Sequence, residues 1–249
     1  MIDPQDRIGA VSCAEVADRI HDRKKPDMSV QSDLEGLRLY PAYLDGGAQA
    51  ELLAAVCRVL TAAPVFTPRM PRSGRPFTVR MSNCGVLGWV SDEGGYRYQP
   101  MHPDTGRPWP PIPATLTTIW SELARYPALP EACLINLYGP DAKMGLHQDR
   151  DEADFAAPVI SISLGDDCLF RVGGLKRSNS TRAFRLSSGD VVILGDGARL
   201  AFHGVDRVYP GTSSLLPNGG RINLTLRRVT PSASHKCGSR TAAEARCDG

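Results

Sequence analysis

The sequence predicts a mostly β protein with flanking helices, organised around a jelly-roll core (a double-stranded β-helix) or a related antiparallel barrel. Three observations carry that expectation. Between Ala132 and Val229 short apolar runs alternate with turns containing glycine and aspartate, the spacing of an antiparallel double sheet. Upstream, two stretches place apolar residues at the helical period. The segment between them, residues 64–113, is rich in proline, glycine and aromatic residues, a composition that makes short strands and rigid loops.

Taken in order, residues 1–36 are polar and weakly patterned (Asp3, Asp6, Arg7, Asp22, Arg23, Lys24, Lys25) and read as a flexible arm, with Cys13–Ile20 as a candidate short helix. Leu39-Tyr-Pro-Ala-Tyr-Leu44 reads as a strand running into a turn. Ala48–Leu60 carries Leu52, Leu53, Val56 and Leu60 at helical spacing and must end before Pro64. Ala114–Ala124 reads as a second helix, closing an N-terminal extension over residues 37–131. In the span 132–229 the expected strands are Cys133–Tyr138, Val159–Leu164, Cys168–Val172, Ala183–Leu186, Asp190–Leu194 and Arg221–Val229. Residues 230–249 are rich in serine, alanine and arginine and read as a disordered tail.

Composition narrows the classes. With 42% hydrophobic residues the chain has enough apolar content to bury a core. No apolar run approaches the ~18 to 20 residues needed to span a bilayer, and the start, Met1-Ile-Asp-Pro-Gln-Asp-Arg, has neither the basic nor the apolar region of a signal peptide. Seven cysteines without a CxxC pair argue against a disulfide framework or a thiolate zinc site, and for free thiols in a reducing cytoplasm. A formal charge of +2 neither demonstrates nor excludes a nucleic-acid partner, because a local basic surface suffices for phosphate contact. Arg69, Arg72, Arg75 and Arg80 form such a strip, which is either a phosphate contact or a solvated basic loop.

Of five histidines, His147 and His203 fall in the strand-rich core. His147 belongs to His147-Gln-Asp149, and in a strand-like stretch residues i and i+2 point to one face, so His147 and Asp149 can reach one ion. Two imidazoles and one carboxylate form the facial arrangement of non-haem iron(II), which leaves three positions open. Alone, HxD is a weak signal, and an isolated histidine is more often structural. Arg221-Ile-Asn-Leu-Thr-Leu-Arg227 adds an alternating strand, with Arg221, Asn223, Thr225 and Arg227 on one face. An exposed edge strand would look similar. A buried face with two arginines, however, requires an anion, and a dicarboxylate held by guanidinium meets that need. Asn136 and Tyr138, again at i and i+2, can add neutral donors.

Together, Asn136-x-Tyr138, His147-x-Asp149, the distal His203 and Arg221-x-Asn223-x3-Arg227 resemble the AlkB family of iron(II)/2-oxoglutarate dioxygenases. The resemblance runs from about Leu37 to Val229. It is closest in Leu134-Ile-Asn-Leu-Tyr-Gly-Pro, Leu146-His-Gln-Asp-Arg-Asp-Glu, Gly173-Gly-Leu-Lys-Arg177 and the Arg221 strand. Met81-Ser-Asn-Cys-Gly-Val-Leu-Gly-Trp89 and Gly95-Tyr-Arg-Tyr-Gln-Pro100 are similar to the nucleotide lid of the bacterial founding member. By that resemblance residues 37–131 hold an N-terminal nucleotide-recognition lid and 132–229 the dioxygenase core.

The resemblance implies an oxidative demethylase that uses Fe(II), 2-oxoglutarate and O2 and releases formaldehyde, succinate and CO2. It implies repair of 1-methyladenine and 3-methylcytosine in single- or double-stranded DNA, with RNA as a further candidate, by a cytoplasmic monomer. His147, Asp149 and His203 would hold the metal. Arg221 would hold the far carboxylate of 2-oxoglutarate with Asn136, Tyr138 and Asn223, and Arg227 would sit at the metal-proximal end. Substrate contacts would come from Met81, Trp89 and Tyr96 with His147 as the opposite wall, from Asp151 at the base, from Tyr98 near sugar and phosphate, and from Arg177. Glu152 and Asp154, beside Asp151, read as solvated turn residues. Arg150 in place of a lysine, and a different segment 67–76, leave the preferred lesion and strand open. Two rival readings are a 2-oxoglutarate oxygenase acting on a protein or small metabolite, and a catalytically silent nucleic-acid-binding module on the same scaffold.

Overall fold

The computed structural model describes residues 35–232, so nearly all of the arm, its candidate helix at 13–20 and nearly all of the tail lie outside the described residues. Strand β1 (Leu37–Tyr40) leads to helix α1 (Gly46–Ala62), then β2 (Arg80–Gly85) and a hairpin of β3 (Gly88–Asp92) and β4 (Gly95–Gln99). Helix α2 (Ala114–Leu123) precedes β5 (Ala132–Tyr138), β6 (Met144–His147), β7 (Val159–Gly165), β8 (Asp167–Val172), β9 (Arg182–Leu186) and β10 (Val191–Leu194). A 3-10 turn (Asp196–Ala198), β11 (His203–Tyr209) and β12 (Arg221–Arg227) complete the order.

The strands form a six-stranded sheet in the order β1-β10-β7-β12-β5-β2, a four-stranded sheet in the order β6-β11-β8-β9, and the separate two-stranded hairpin. Ladders in both large sheets are antiparallel, the double-sheet arrangement expected of a jelly roll. Two apolar cores follow from strand parity. On one face of the larger sheet Ile160, Ile162, Leu224 and Leu226 pack with Leu52 and Val56 of α1 and Leu116, Ile119 and Trp120 of α2. On the other face, Leu134, Val159, Val192 and Leu194 meet Phe170, Val172 and Val205 of the smaller sheet. The helices are therefore an outer layer, and the functional space lies between the sheets.

Several boundaries differ from the expectation. β1 begins two residues early and stops at Tyr40, because Pro41 has no N–H for a ladder and Ala42 adopts a positive φ of 47°. Helix α1 starts at Gly46, where the Asp45 side chain accepts the Ala48 amide at 2.8 Å as an N-cap. β6 and β11 were not anticipated: Met-Gly-Leu-His is short and contains glycine, and His-Gly-Val-Asp-Arg-Val-Tyr carries charge on its exposed side. β12 is no edge strand. It lies between β5 and β7 and is buried along its whole length, which places Arg221, Asn223, Thr225 and Arg227 inside.

The entry to β12 is fixed by Asp166, whose carboxylate accepts amides from Thr212 (3.0 Å), Ser213 (3.1 Å) and Gly220 (2.8 Å). Gly220 has φ +91°, and a Cβ there would come within 2.9 Å of the Tyr138 carbonyl, so only glycine lets the chain turn into the strand. Since β12 is central and Leu224 is fully buried, Leu224→Ala should cost about 2 to 5 kcal/mol. A denaturant midpoint unchanged from the parent protein would contradict this placement of the core.

Candidate metal and cosubstrate centre

His147 is the last residue of β6 and His203 the first of β11, and the register sets them directly opposite each other. Their ring centroids are 4.5 Å apart. Asp149 follows β6 in irregular backbone, so the parity argument does not apply to it, yet its Oδ1 lies 3.5 Å from His147 Nε2 and its Oδ2 3.8 Å from His203 Nε2. One donor atom from each residue falls within a 4.8 Å cluster. Each ring Nδ1 lies against a carbonyl two residues upstream, Gly145 at 3.0 Å and Ala201 at 2.9 Å. A carbonyl has no proton to give, so Nδ1 donates and each Nε2 lone pair is left for a ligand.

Electrostatics prepare the remaining donors. Burial, aided by His147, pulls the His203 imidazole down to about 4, so it is neutral near pH 7. Burial alone would raise Asp149, but the Arg227 guanidinium and the two imidazoles hold its carboxyl well below the usual range. Arg227 Nη2 donates to Asp149 Oδ1 at 2.7 Å, while buried Oδ2 has no hydrogen-bond partner. A carboxylate with one orphaned oxygen, set beside two imidazole Nε2 atoms, is the donor set of a divalent transition metal, and two histidines with one carboxylate suit iron(II).

Beside it, the space between the sheets is lined by Asn136, Tyr138, Asn223, Thr225 and Arg221. Arg221 is 2% exposed. Its Nη2 donates to Ser163 Oγ at 2.7 Å and its Nη1 to the Asp166 carbonyl at 3.3 Å, both uncharged, and its Nε has no partner. Among the described residues no carboxylate forms an ion pair with it, so this buried guanidinium is short of an anion. The Tyr138 hydroxyl makes no hydrogen bond among the described residues, and burial raises its pKa, so it remains a donor. Asn136 Nδ2 donates to Asn223 Oδ1 at 3.3 Å, and Asn223 Nδ2 to Ser161 Oγ at 2.6 Å. These two amides therefore hold each other while lining the pocket. A carboxylate reaching Arg221 from the metal would satisfy the free donors, which fits 2-oxoglutarate.

An outer cavity of about 340 Å³ opens onto the same metal position, lined by Phe77, Met81, Trp89, Tyr96, Met144, His147, Asp149, Asp151 and Arg227 among others. Trp89 and Tyr96 stack on each other, centroids 5.6 Å apart with 17° between planes. Asp151 Oδ2 accepts the Trp89 indole N–H at 2.8 Å, so this aspartate orients the tryptophan. Two further expected substrate contacts are hydrogen-bonded within the protein. Tyr98 turns its hydroxyl inward, donating to Glu152 at 2.5 Å and accepting from Arg227 at 3.0 Å. Arg177 spans the Leu146 carbonyl at 2.8 and 3.0 Å, bracing the strand that ends in His147.

Residues 36–227 match the 2OG-Fe(II) oxygenase superfamily. The chain is 54% identical over 194 residues, 78% of its length and 88% of the other protein, to the alpha-ketoglutarate-dependent dioxygenase AlkB homolog of Caulobacter vibrioides. The chain belongs to the AlkB family. It is also 40% identical to the alpha-ketoglutarate-dependent dioxygenase AlkB of Escherichia coli, over 73% of this chain and 85% of that one. The solved structure of OsALKBH1 superposes with a TM-score of 0.68 at 29% identity, covering 78% of this chain and 96% of that chain. As an AlkB family enzyme it is an iron(II)- and 2-oxoglutarate-dependent dioxygenase, and its donor set and its anion-deficient Arg221 fit both groups.

Glu152 and Arg199 were missed. Glu152 is a buried acid bound to Tyr98 and Arg199, and Asp154 is also buried, bonded to the Tyr126 hydroxyl, so neither is a solvated turn residue. Arg199 is a lone charge in Ala-Arg-Leu-Ala-Phe-His203, and that isolation in an apolar run was the available signal.

Two outcomes follow from this geometry. Asp149→Ala should abolish 2-oxoglutarate turnover while leaving unfolding cooperative, and near-normal turnover would sink the metal assignment. Arg221→Ala, which removes a charge-assisted contact, should raise half-saturation for 2-oxoglutarate about 10- to 100-fold. An unchanged value in a titration of 2-oxoglutarate at saturating substrate would make Arg221 structural.

Proposed function

We propose that this enzyme demethylates N-alkylated bases in nucleic acid, with 1-methyladenine and 3-methylcytosine in DNA as its substrates, and acts on single strands at least as well as on duplex. The outer cavity carries the reading. It is in the size range of small-ligand sites, opens to the exterior, and ends at the metal donors. Its rim is the stacked pair Trp89–Tyr96, with Tyr96 half exposed, and one wall is His147. A base cannot reach a buried metal while stacked in a duplex, so it must be flipped out, and flat aromatic faces receive it. These lesions carry positive charge near neutral pH. Asp151 lines the cavity and favours a cationic base over the normal one.

The β3–β4 hairpin, with β2 behind it, serves in this reading as a nucleotide lid. Arg69, Arg72, Arg75 and Arg80 are exposed and make no ion pair among the described residues, which leaves them for phosphate. Arg221, Tyr138, Asn136 and Asn223 would hold 2-oxoglutarate, and His147, Asp149 and His203 would hold iron. Iron with its cosubstrates supplies the oxidising power that hydroxylates the N-methyl carbon, after which the hydroxymethylated base loses formaldehyde. Trp89, braced by Asp151, sets which carbon faces the metal. No helix among the described residues is long and apolar enough to cross a membrane, and Cys57, Cys84, Cys133 and Cys168 are free thiols, which supports a reducing cytoplasm as the place of action.

Formaldehyde release compared across methylated oligonucleotides, methylated peptides and free nucleosides tests the substrate class. Oligonucleotides should be the productive class, and release from peptides alone would overturn the nucleic-acid reading. Trp89→Ala should lower release from oligonucleotides on the order of tenfold while leaving substrate-free turnover of 2-oxoglutarate largely intact.

A further inference from the structure

Asp149 is the metal ligand without a regular element beneath it: the chain from Gln148 to Pro158 forms neither strand nor helix. A carboxylate on irregular backbone is held only as well as its neighbours hold it. Two arginines reach it. Arg227 grips the carboxylate from β12. Arg199, just past the 3-10 turn, grips the backbone: Nη1 donates to the Asp149 carbonyl at 2.7 Å, Nε to the Ala157 carbonyl at 2.7 Å, and Nη2 to Glu152 Oε2 at 3.2 Å. One side chain thus clasps the irregular segment near both ends, four residues before His203.

Glu152 joins the two arginines. Its side chain is fully buried, bound to Arg199 on one oxygen and 3.5 Å from Arg227 Nη1 on the other. Tyr98 of β4 donates to that second oxygen at 2.5 Å and accepts Arg227 Nη1 at 3.0 Å. Asp149, Glu152, Arg199 and Arg227 carry no net formal charge together, so each buried charge has an opposite one beside it. The Phe155 ring lies over Arg199 at 5.5 Å and shields it.

We propose that Tyr98, Glu152 and Arg199 are positioning residues of the metal centre, which fix Asp149 so that only Oδ2 is offered to the ion, and that Tyr98 ties the β3–β4 hairpin to that ligand. The inference rests on the iron centre and not on the choice of substrate. Without the Tyr98 hydroxyl, Arg227 Nη1 loses an acceptor and Glu152 draws it closer, away from Asp149. Asp149 would then be free to swing and to expose both oxygens.

Titration of the full-length, metal-free protein with Mn(II), followed by calorimetry, reads this directly. Tyr98→Phe should weaken Mn(II) binding about tenfold or more, with the unfolding midpoint of the metal-free protein held within a few degrees. The Co(II) absorption spectrum should change as well, because the carboxylate geometry changes. Arg199→Met should weaken binding further, and Arg199→Lys should restore part of it. Tyr126→Phe removes a comparable tyrosine hydroxyl from Asp154 on the same segment, which does not touch Asp149, and should leave Mn(II) binding unaltered. A Tyr98→Phe protein with parental Mn(II) affinity and an unshifted Co(II) spectrum would overturn the proposal. An equal loss in Tyr126→Phe would also overturn it, by showing only general loosening.

Discussion

A guanidinium taken out of water must find negative charge, and β12 carries two of them inward from the centre of the larger sheet. They resolve the demand differently. Arg227 is matched within the protein, by Asp149 and Glu152, and in turn sets the orientation of a metal ligand. Arg221 is given only Ser163 and a backbone carbonyl, and so waits for an anion from outside. One strand therefore divides the space between the sheets into an end with the metal donors and an end with a guanidinium that lacks a carboxylate partner among the described residues. The neutral Asn136–Asn223 pair sits between them, where neither charge is wanted.

The rest of the molecule supports that strand with unequal stiffness. β12 has ladders on both sides and a helix layer behind it, so its arginines sit on the most constrained backbone available. The hairpin that carries Trp89, Tyr96 and Tyr98 has only two strands, a number that is marginal by itself. It is held by side chains instead: Asn83 exchanges two 3.0 Å bonds with the Trp89 backbone, and Ser91 donates to the Arg69 carbonyl at 2.6 Å. A pocket built on central strands thus faces a hairpin anchored by these bonds, by the Trp89 and Tyr98 side chains, and by Val90 in the core between the sheets.

What could be read from the sequence was whatever depended on local periodicity. Arg221, Asn223 and Arg227 declared themselves because alternation along one strand is a local pattern, and the structure shows that face turned inward. His147, Asp149 and His203 were also legible, although the parity argument for Asp149 was wrong, since β6 stops at His147. β6 and β11 escaped because glycine and charge broke their apolar pattern. Glu152 looked solvated for the same reason that Arg199 went unnoticed: their partners are 47 residues apart in the chain, and no short window contains both. The inward bond of the Tyr98 hydroxyl was equally hidden, because only the packing of β4 against the segment after Asp149 reveals it.

Both imidazoles are tethered through Nδ1 to the carbonyl two residues upstream, at Gly145 and Ala201, so their orientation belongs to the backbone and not to any ion. This bears on which metals the centre can accept. Raw affinity for nitrogen and oxygen donors rises along the first-row divalent ions and peaks at copper, so a pliant site would be taken by copper or zinc. Rings fixed in this way keep their Nε2 atoms where the backbone puts them, whichever ion arrives. An ion whose preferred geometry does not suit these donors would have to forgo one of them, so discrimination would rest on the backbone as well as on ligand strength.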